Sequence, residues 1–144
     1  MVAHRFAQHF AGPPLTHLQQ QLQQVGIPPH YFPCLFASLE PEPDTEAYRQ
    51  CQQYAQEGAC QGRRGLLLMG APGNGKTALA VAILRHRLAQ GLPPQHLRFW
   101  NVPTGMYELR AGRLHPDQAT RHILALLQHE LLVLDDLGKY HTAP

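Results

Sequence analysis

Eight consecutive residues, Gly70-Ala71-Pro72-Gly73-Asn74-Gly75-Lys76-Thr77, satisfy G-x-x-x-x-G-K-[ST] at every fixed position. Glycine at those places lets successive backbone N–H groups turn inward around a polyphosphate, where a side chain would block the approach. A helix opening at the end of such a loop adds unpaired N–H donors and the positive end of its dipole, so the cradle is expected to extend to Ala78. Lys76 then reaches the β- and γ-phosphates, and the Thr77 hydroxyl holds Mg²⁺. A second set of oxygens lies downstream, where Leu131-Leu132-Val133-Leu134 runs into Asp135-Asp136. Asp135 is expected to complete the Mg²⁺ environment with Thr77, through water. Asp136, one residue on and projecting the other way, is placed to orient an attacking water.

These groups work together only if the chain carries them on the right elements. Gly65-Leu66-Leu67-Leu68-Met69 is a short apolar run, and Ala78-Leu79-Ala80-Val81-Ala82-Ile83-Leu84 is a strong helix former, so the loop sits where a strand gives way to a helix. That helix runs to about Gln90, where Gly91 and Pro93-Pro94 stop it. His96–Val102 reads as the next strand, which makes a right-handed parallel crossover. A short helix near Thr104–Ala111, ended by Gly112, and a longer one opened by Pro116 follow. The apolar run at 131–134 is expected to be a strand buried on both faces, with its acids at the carboxyl end where open α/β sheets bind ligands.

Upstream of the loop, Leu15, Leu18, Leu22 and Val25 fall on one stripe of a glutamine-rich helix closed by Gly26 and Pro28-Pro29. A helix this short must dock on something, either its own domain or a partner. The proline- and aromatic-rich stretch Ile27–Pro43 is expected to be an extended connector with its rings buried over a groove. Asp44 can cap a helix over 44–57 on which Ala47, Tyr48, Cys51, Tyr54 and Ala55 share a face and which stops at Gly58, with Arg63-Arg64 at the solvent edge.

Composition narrows the classes. At 144 residues the chain has one domain's worth of length, and a formal net charge of +2 permits nucleic-acid contact without arguing for it. Its 3 cysteines, Cys34, Cys51 and Cys60, form no C-x-x-C pair, which argues against a disulfide framework or zinc ribbon and for a reducing cytosol. Its 10 histidines are scattered, with none at ligand spacing. There is no apolar run of membrane-spanning length and no secretory leader, so a soluble, cytoplasmic protein is expected.

From Ile27 onward the chain resembles the AAA+ ATPases of the DnaC/DnaI helicase-loader and IstB transposition-helper group. The resemblance lies in Gly65-Leu66-Leu67-Leu68-Met69-Gly70 leading into the phosphate loop, Thr77-Ala78-Leu79-Ala80-Val81-Ala82 after it, Asn101-Val102-Pro103 ahead of Glu108-Leu109-Arg110, and Leu132-Val133-Leu134-Asp135-Asp136-Leu137-Gly138. It implies an α/β fold, a P-loop NTPase of AAA+ type with αβα layers around a parallel sheet. It further implies ATP and Mg²⁺ as cofactors, ATP-dependent homo-oligomers and contact with single-stranded DNA. The region from Thr104 to about Gln118 corresponds to the loaders' DNA-approaching insertion, with Arg110 and Arg113 as its phosphate contacts. By position alone, the stripe from Leu15 to Val25 corresponds to the loaders' helicase-binding segment.

The chain departs from this group at its end. Group members continue into a sensor strand, an arginine finger and a helical lid, whereas no arginine follows Arg121 here. The expectation is therefore a helical appendage over residues 1–30 and an incomplete AAA+ domain over 31–144, lacking the C-terminal strands and lid, with a gap or exposed edge in its sheet. Four functions compete: a replication loader serving a replicative helicase, a transposition helper serving a transposase, a small-molecule P-loop kinase, and a non-hydrolysing, ATP-gated binding module. An acid beside the metal-site Asp135 suits an activated water better than a phosphoryl acceptor, which disfavours the kinase.

Overall fold

A computed structural model describes residues 15–39, 45–57, 65–111 and 115–138. In chain order the elements are α1 (His17–Val25), a 3₁₀ turn (Pro29–Tyr31), α2 (Glu46–Glu57), α3 (Lys76–Ala89), a 3₁₀ turn (Pro94–His96), β1 (Leu97–Asn101), α4 (Val102–Arg110), α5 (Pro116–Leu126) and β2 (Leu131–Asp135). The two strands are parallel, and their register sets Leu97 beside Leu131 and Asn101 beside Asp135. Helices thus join parallel strands, the arrangement of an α/β fold.

The core forms around α3 because five consecutive residues, Ala80–Leu84, are buried there. Val81 and Leu84 face α1 and the strands, joining Leu22, Val25, Ile27, Leu97 and Phe99 in one cluster. Ile83 faces the other way, onto Cys51 and Ala55 of α2. A helix apolar on both sides is held between layers, and burying a side chain such as Leu84 contributes about 2 kcal/mol. On the other sheet face Trp100 packs against α4, where Gly105 leaves its ring room.

Local signals account for α1. The Thr16 hydroxyl accepts from the Gln19 N–H, and the Gln19 side chain reaches back to the Thr16 N–H, a reciprocal cap. Gly26 closes the helix at φ 92°, and a β-carbon there would lie 2.7 Å from the Phe99 carbonyl oxygen, so glycine is needed twice over. The stripe is divided: Leu22 and Val25 are buried in the core, while Leu15 and Leu18 remain 42% and 43% exposed.

Several boundaries differ from the sequence reading. The connector after Ile27 is a series of turns, not an extended chain, because Pro28 and Pro29 start a 3₁₀ turn. Its Phe36 still packs against the α2 cluster, and the Tyr48 hydroxyl donates to the Phe36 carbonyl at 2.6 Å. Thr45 accepts from the Tyr48 N–H at the start of α2. Asp44, Gly58, Arg63-Arg64 and Gly112 lie outside the described residues. α4 begins at Val102, two residues early, because Asn101 caps it and Pro103 is tolerated in a first turn.

The run Gly65–Met69 was expected to be a strand. It keeps the alternation of one, with Leu66 and Leu68 packed on the α2 cluster while Leu67 and Met69 are 71% and 81% exposed. It makes no strand ladder, since the sheet among the described residues contains β1 and β2 alone. β2 is correspondingly half-buried, not covered on both faces, and Leu134 is 42% exposed. Among the described residues β2 pairs with β1 along one edge, and no described strand pairs with its other edge.

Candidate functional site

The loop from Gly70 to Gly75 is exposed along its whole length. Gly73 and Gly75 have φ of 84° and 76°, a left-handed backbone that suits glycine, and open space lies where their β-carbons would stand. Gly75 also precedes α3 without any side-chain cap, so the N–H donors of the first turn are left to a ligand. Pro72 and Asn74 are exposed on the loop, and Ala78 is half-buried in the first turn of α3.

Lys76 folds back over this loop, its ammonium donating to the carbonyls of Gly70 at 2.9 Å and Ala71 at 2.7 Å. One residue further along α3, the neighbouring hydroxyl points inward. Thr77 Oγ1 donates to Asp135 Oδ1 at 2.9 Å in a half-buried setting. That bond brings together two residues far apart in the chain, each at the end of its own apolar segment. Because Thr77 gives its proton to Asp135, its oxygen lone pairs are left for a cation, and the second Asp135 oxygen is a further acceptor. The donor set fits Mg²⁺, which prefers oxygen and takes most of its ligands from water and phosphate. Among the described residues no cluster of three or more His, Cys, Asp or Glu forms a self-sufficient metal cage.

Asp136 follows with φ 58°, the one non-glycine residue in the left-handed region among those described. Its carboxylate Oδ2 accepts from the Asn101 side-chain amide at 3.3 Å. The same amide group works at its other end too, since Asn101 Oδ1 accepts from the Thr104 N–H at 3.1 Å and caps α4. Asn101 thus joins the second acid to a helix. Sequence reading placed Asn101 only at a strand end. The available signal was an Asn preceding Val-Pro, a cap pattern, but the Asp136 contact depends on the parallel register.

Arg110 is exposed in the last turn of α4, and Arg113 falls outside the described residues. No helix among the described residues is long and apolar enough to cross a membrane.

Together, the loop-to-helix turn and the parallel strand ending in acids define an α/β P-loop NTPase. Residues 40–142 match the model of the IstB-like ATP binding protein family, and the match covers more than half of the chain. The chain belongs to that family and is an ATP-binding protein. No curated protein and no solved structure matched it.

Proposed function

We propose that this protein is an ATP-gated module that acts on DNA as a transposition helper, binding Mg-ATP between Gly70–Ala78 and Asp135. The observation that carries it is the Thr77–Asp135 hydrogen bond, which sets the phosphate loop and the first acid within the span of one triphosphate and its cation. The family match favours a helper of the IstB kind. The exposed Arg110 on a helix capped by the residue that holds Asp136 supports a second reading, a loader that serves a replicative helicase on single-stranded DNA.

In this scheme Thr77 and Asp135 would hold Mg²⁺, which would supply neutralisation of phosphate charge. Lys76 gives up its two loop carbonyls for phosphate oxygens, and Thr77 presents its lone pairs while Asp135 holds its proton. Asp136 is the acid that follows Asp135 at this strand end and supplies the acceptor that orients water for hydrolysis. Its present partner, Asn101, holds that carboxylate in place.

Two variants test this. Lys76→Ala removes a charged donor, and a loss of about 100-fold in ATP affinity by calorimetry is expected with the fold unchanged. ATP affinity equal to the parent's would remove the cradle assignment. Asp136→Asn is expected to keep ATP affinity and to slow phosphate release by about 100-fold or more. Release at the parental rate excludes Asp136 from the reaction, and no release from either protein makes the chain a binding switch. Capture of a transposase in preference to a replicative helicase separates helper from loader.

A further inference from the structure

A cleft of about 520 Å³ opens beside Asp136 and runs along β1. One wall is the chain leaving α1, with His30 and Tyr31; the other is β1 and α4, with Trp100, Asn101, Thr104 and Glu108. Its volume falls in the range of about 300–1,000 Å³ common for small-ligand sites. None of its ring residues belongs to the phosphate cradle.

The rings come in two pairs. The His30 and Tyr31 centroids are 4.2 Å apart, and Trp100 lies 6.4 Å from His122, another lining residue. Rings thus line both walls, and an aromatic lining suits a planar guest. Charge selects which one. Asp135 and Asp136 line the end of the cleft that adjoins the proposed nucleotide site, which leaves Glu108 as the acid and Arg98 as the guanidinium, among the described lining residues, for a guest in the rest of it. Arg98 stands at the α1 end, its Nη1 at 3.5 Å from the Gln24 carbonyl, where it can meet a phosphate that stays outside. A carboxylate only accepts hydrogen bonds, so the guest must bring donors; an exocyclic amine supplies two, whereas thymine offers only its ring N3–H, flanked by two carbonyl oxygens that a carboxylate repels.

We propose that the cleft receives one unstacked, amino-bearing base of single-stranded DNA, stacked on Tyr31 and hydrogen-bonded to Glu108. This deepens the single-strand reading above and rests on it. Stacking on one aromatic ring is sequence-tolerant, while the acid confers a preference for the amino-bearing bases over thymine.

The assay uses the full chain with Mg-ATP, short fluorescein-labelled oligodeoxycytidine and oligothymidine, and two readouts. Anisotropy reports binding anywhere; quenching of Trp100, the single tryptophan, reports occupancy of the cleft. The deoxycytidine strand is expected to bind about tenfold more tightly than the thymidine strand and to quench Trp100. Tyr31→Ala should weaken it about tenfold. Because Tyr31 also packs on the core, Glu108→Gln at an exposed position is the cleaner variant, and it should abolish the preference without altering ATP affinity. Equal binding of both strands, or a preference surviving Glu108→Gln, overturns the proposal. Binding that leaves Trp100 unquenched and disappears in Arg110→Ala places the strand on α4, which overturns the cleft and keeps the single-strand reading. Quenching by free deoxycytidine as strong as by the strand makes the cleft a nucleoside site and likewise overturns it. Absence of anisotropy change with any oligonucleotide removes both readings.

Discussion

Asn101 carries two contacts through one side chain, and substitutions can separate them. Asn101→Ala removes the oxygen that caps α4, a loss of about 1 kcal/mol. It also removes the amide beside Asp136. A hydrogen bond to a charged group is worth about 1.5–3 kcal/mol, but this one is 3.3 Å long and only half-buried, which reduces it to about 0.5–1 kcal/mol. The alanine variant is therefore expected to lose about 1.5–2 kcal/mol. Asn101→Ser keeps a capping oxygen and lacks the amide, so about 0.5–1 kcal/mol is its expected loss. Urea unfolding followed by circular dichroism reads both, with a lower midpoint and an unchanged slope. Combining Asn101→Ser with Asp136→Asn should give a coupling energy of about 0.5 kcal/mol, because the amide then loses a charged partner. ATP affinity should be the same in all these proteins, since neither residue touches the phosphate loop. Equal losses for alanine and serine, or a coupling within error of zero, would refute the idea that Asn101 holds Asp136.

Gly105→Ala should be destabilising by about 1–3 kcal/mol, because the new β-carbon would stand 2.2–2.4 Å from atoms of the Trp100 ring, and α4 or the ring must move. A shift in tryptophan emission should accompany the loss; an unchanged spectrum and midpoint contradict the close packing. Alkaline pH should weaken the fold through Cys51, which is fully buried and whose thiol burial pushes above its ordinary value of 9.0. When folded the thiol keeps its proton, and when unfolded it releases it, so the unfolded state binds fewer protons above about pH 9 and stability falls from there through the raised folded value. The urea midpoint should drop between neutral pH and about pH 10, and drop less in Cys51→Ala. Identical pH profiles in the two proteins exclude that thiol as a source.

Much of the site was legible because its parts are local. A glycine-rich turn followed by Lys-Thr, a strand ending in two acids and a proline-opened helix each need only residues close in sequence, and each stands where its neighbours imply. The nine residues from Gly70 to Ala78 form one turn and the start of one helix, so their spacing alone indicates a cradle. The left-handed backbone at Gly73 and Gly75 is foreshadowed by the residue type. Capping by Thr16 and Gly26 is likewise a matter of nearest neighbours.

What the chain order alone left open is decided by partners distant in sequence. The Leu15-to-Val25 stripe marks an apolar face, yet only the packing of α1 on α3 and β1 determines that Leu22 and Val25 are covered and Leu15 and Leu18 are not. Gly65–Met69 has a strand's alternation, but a strand exists through hydrogen bonds to another chain segment, and no described segment supplies them. The same holds for function. Residue types alone nominate Thr77, Asp135 and Asp136, while the parallel register sets Asn101 against Asp135, and the packing of α3 on β2 carries the Thr77 hydroxyl to 2.9 Å from its acid. Short-range preferences therefore determined which groups this protein can offer to a phosphate, a cation or a water, and long-range packing decided which of them meet.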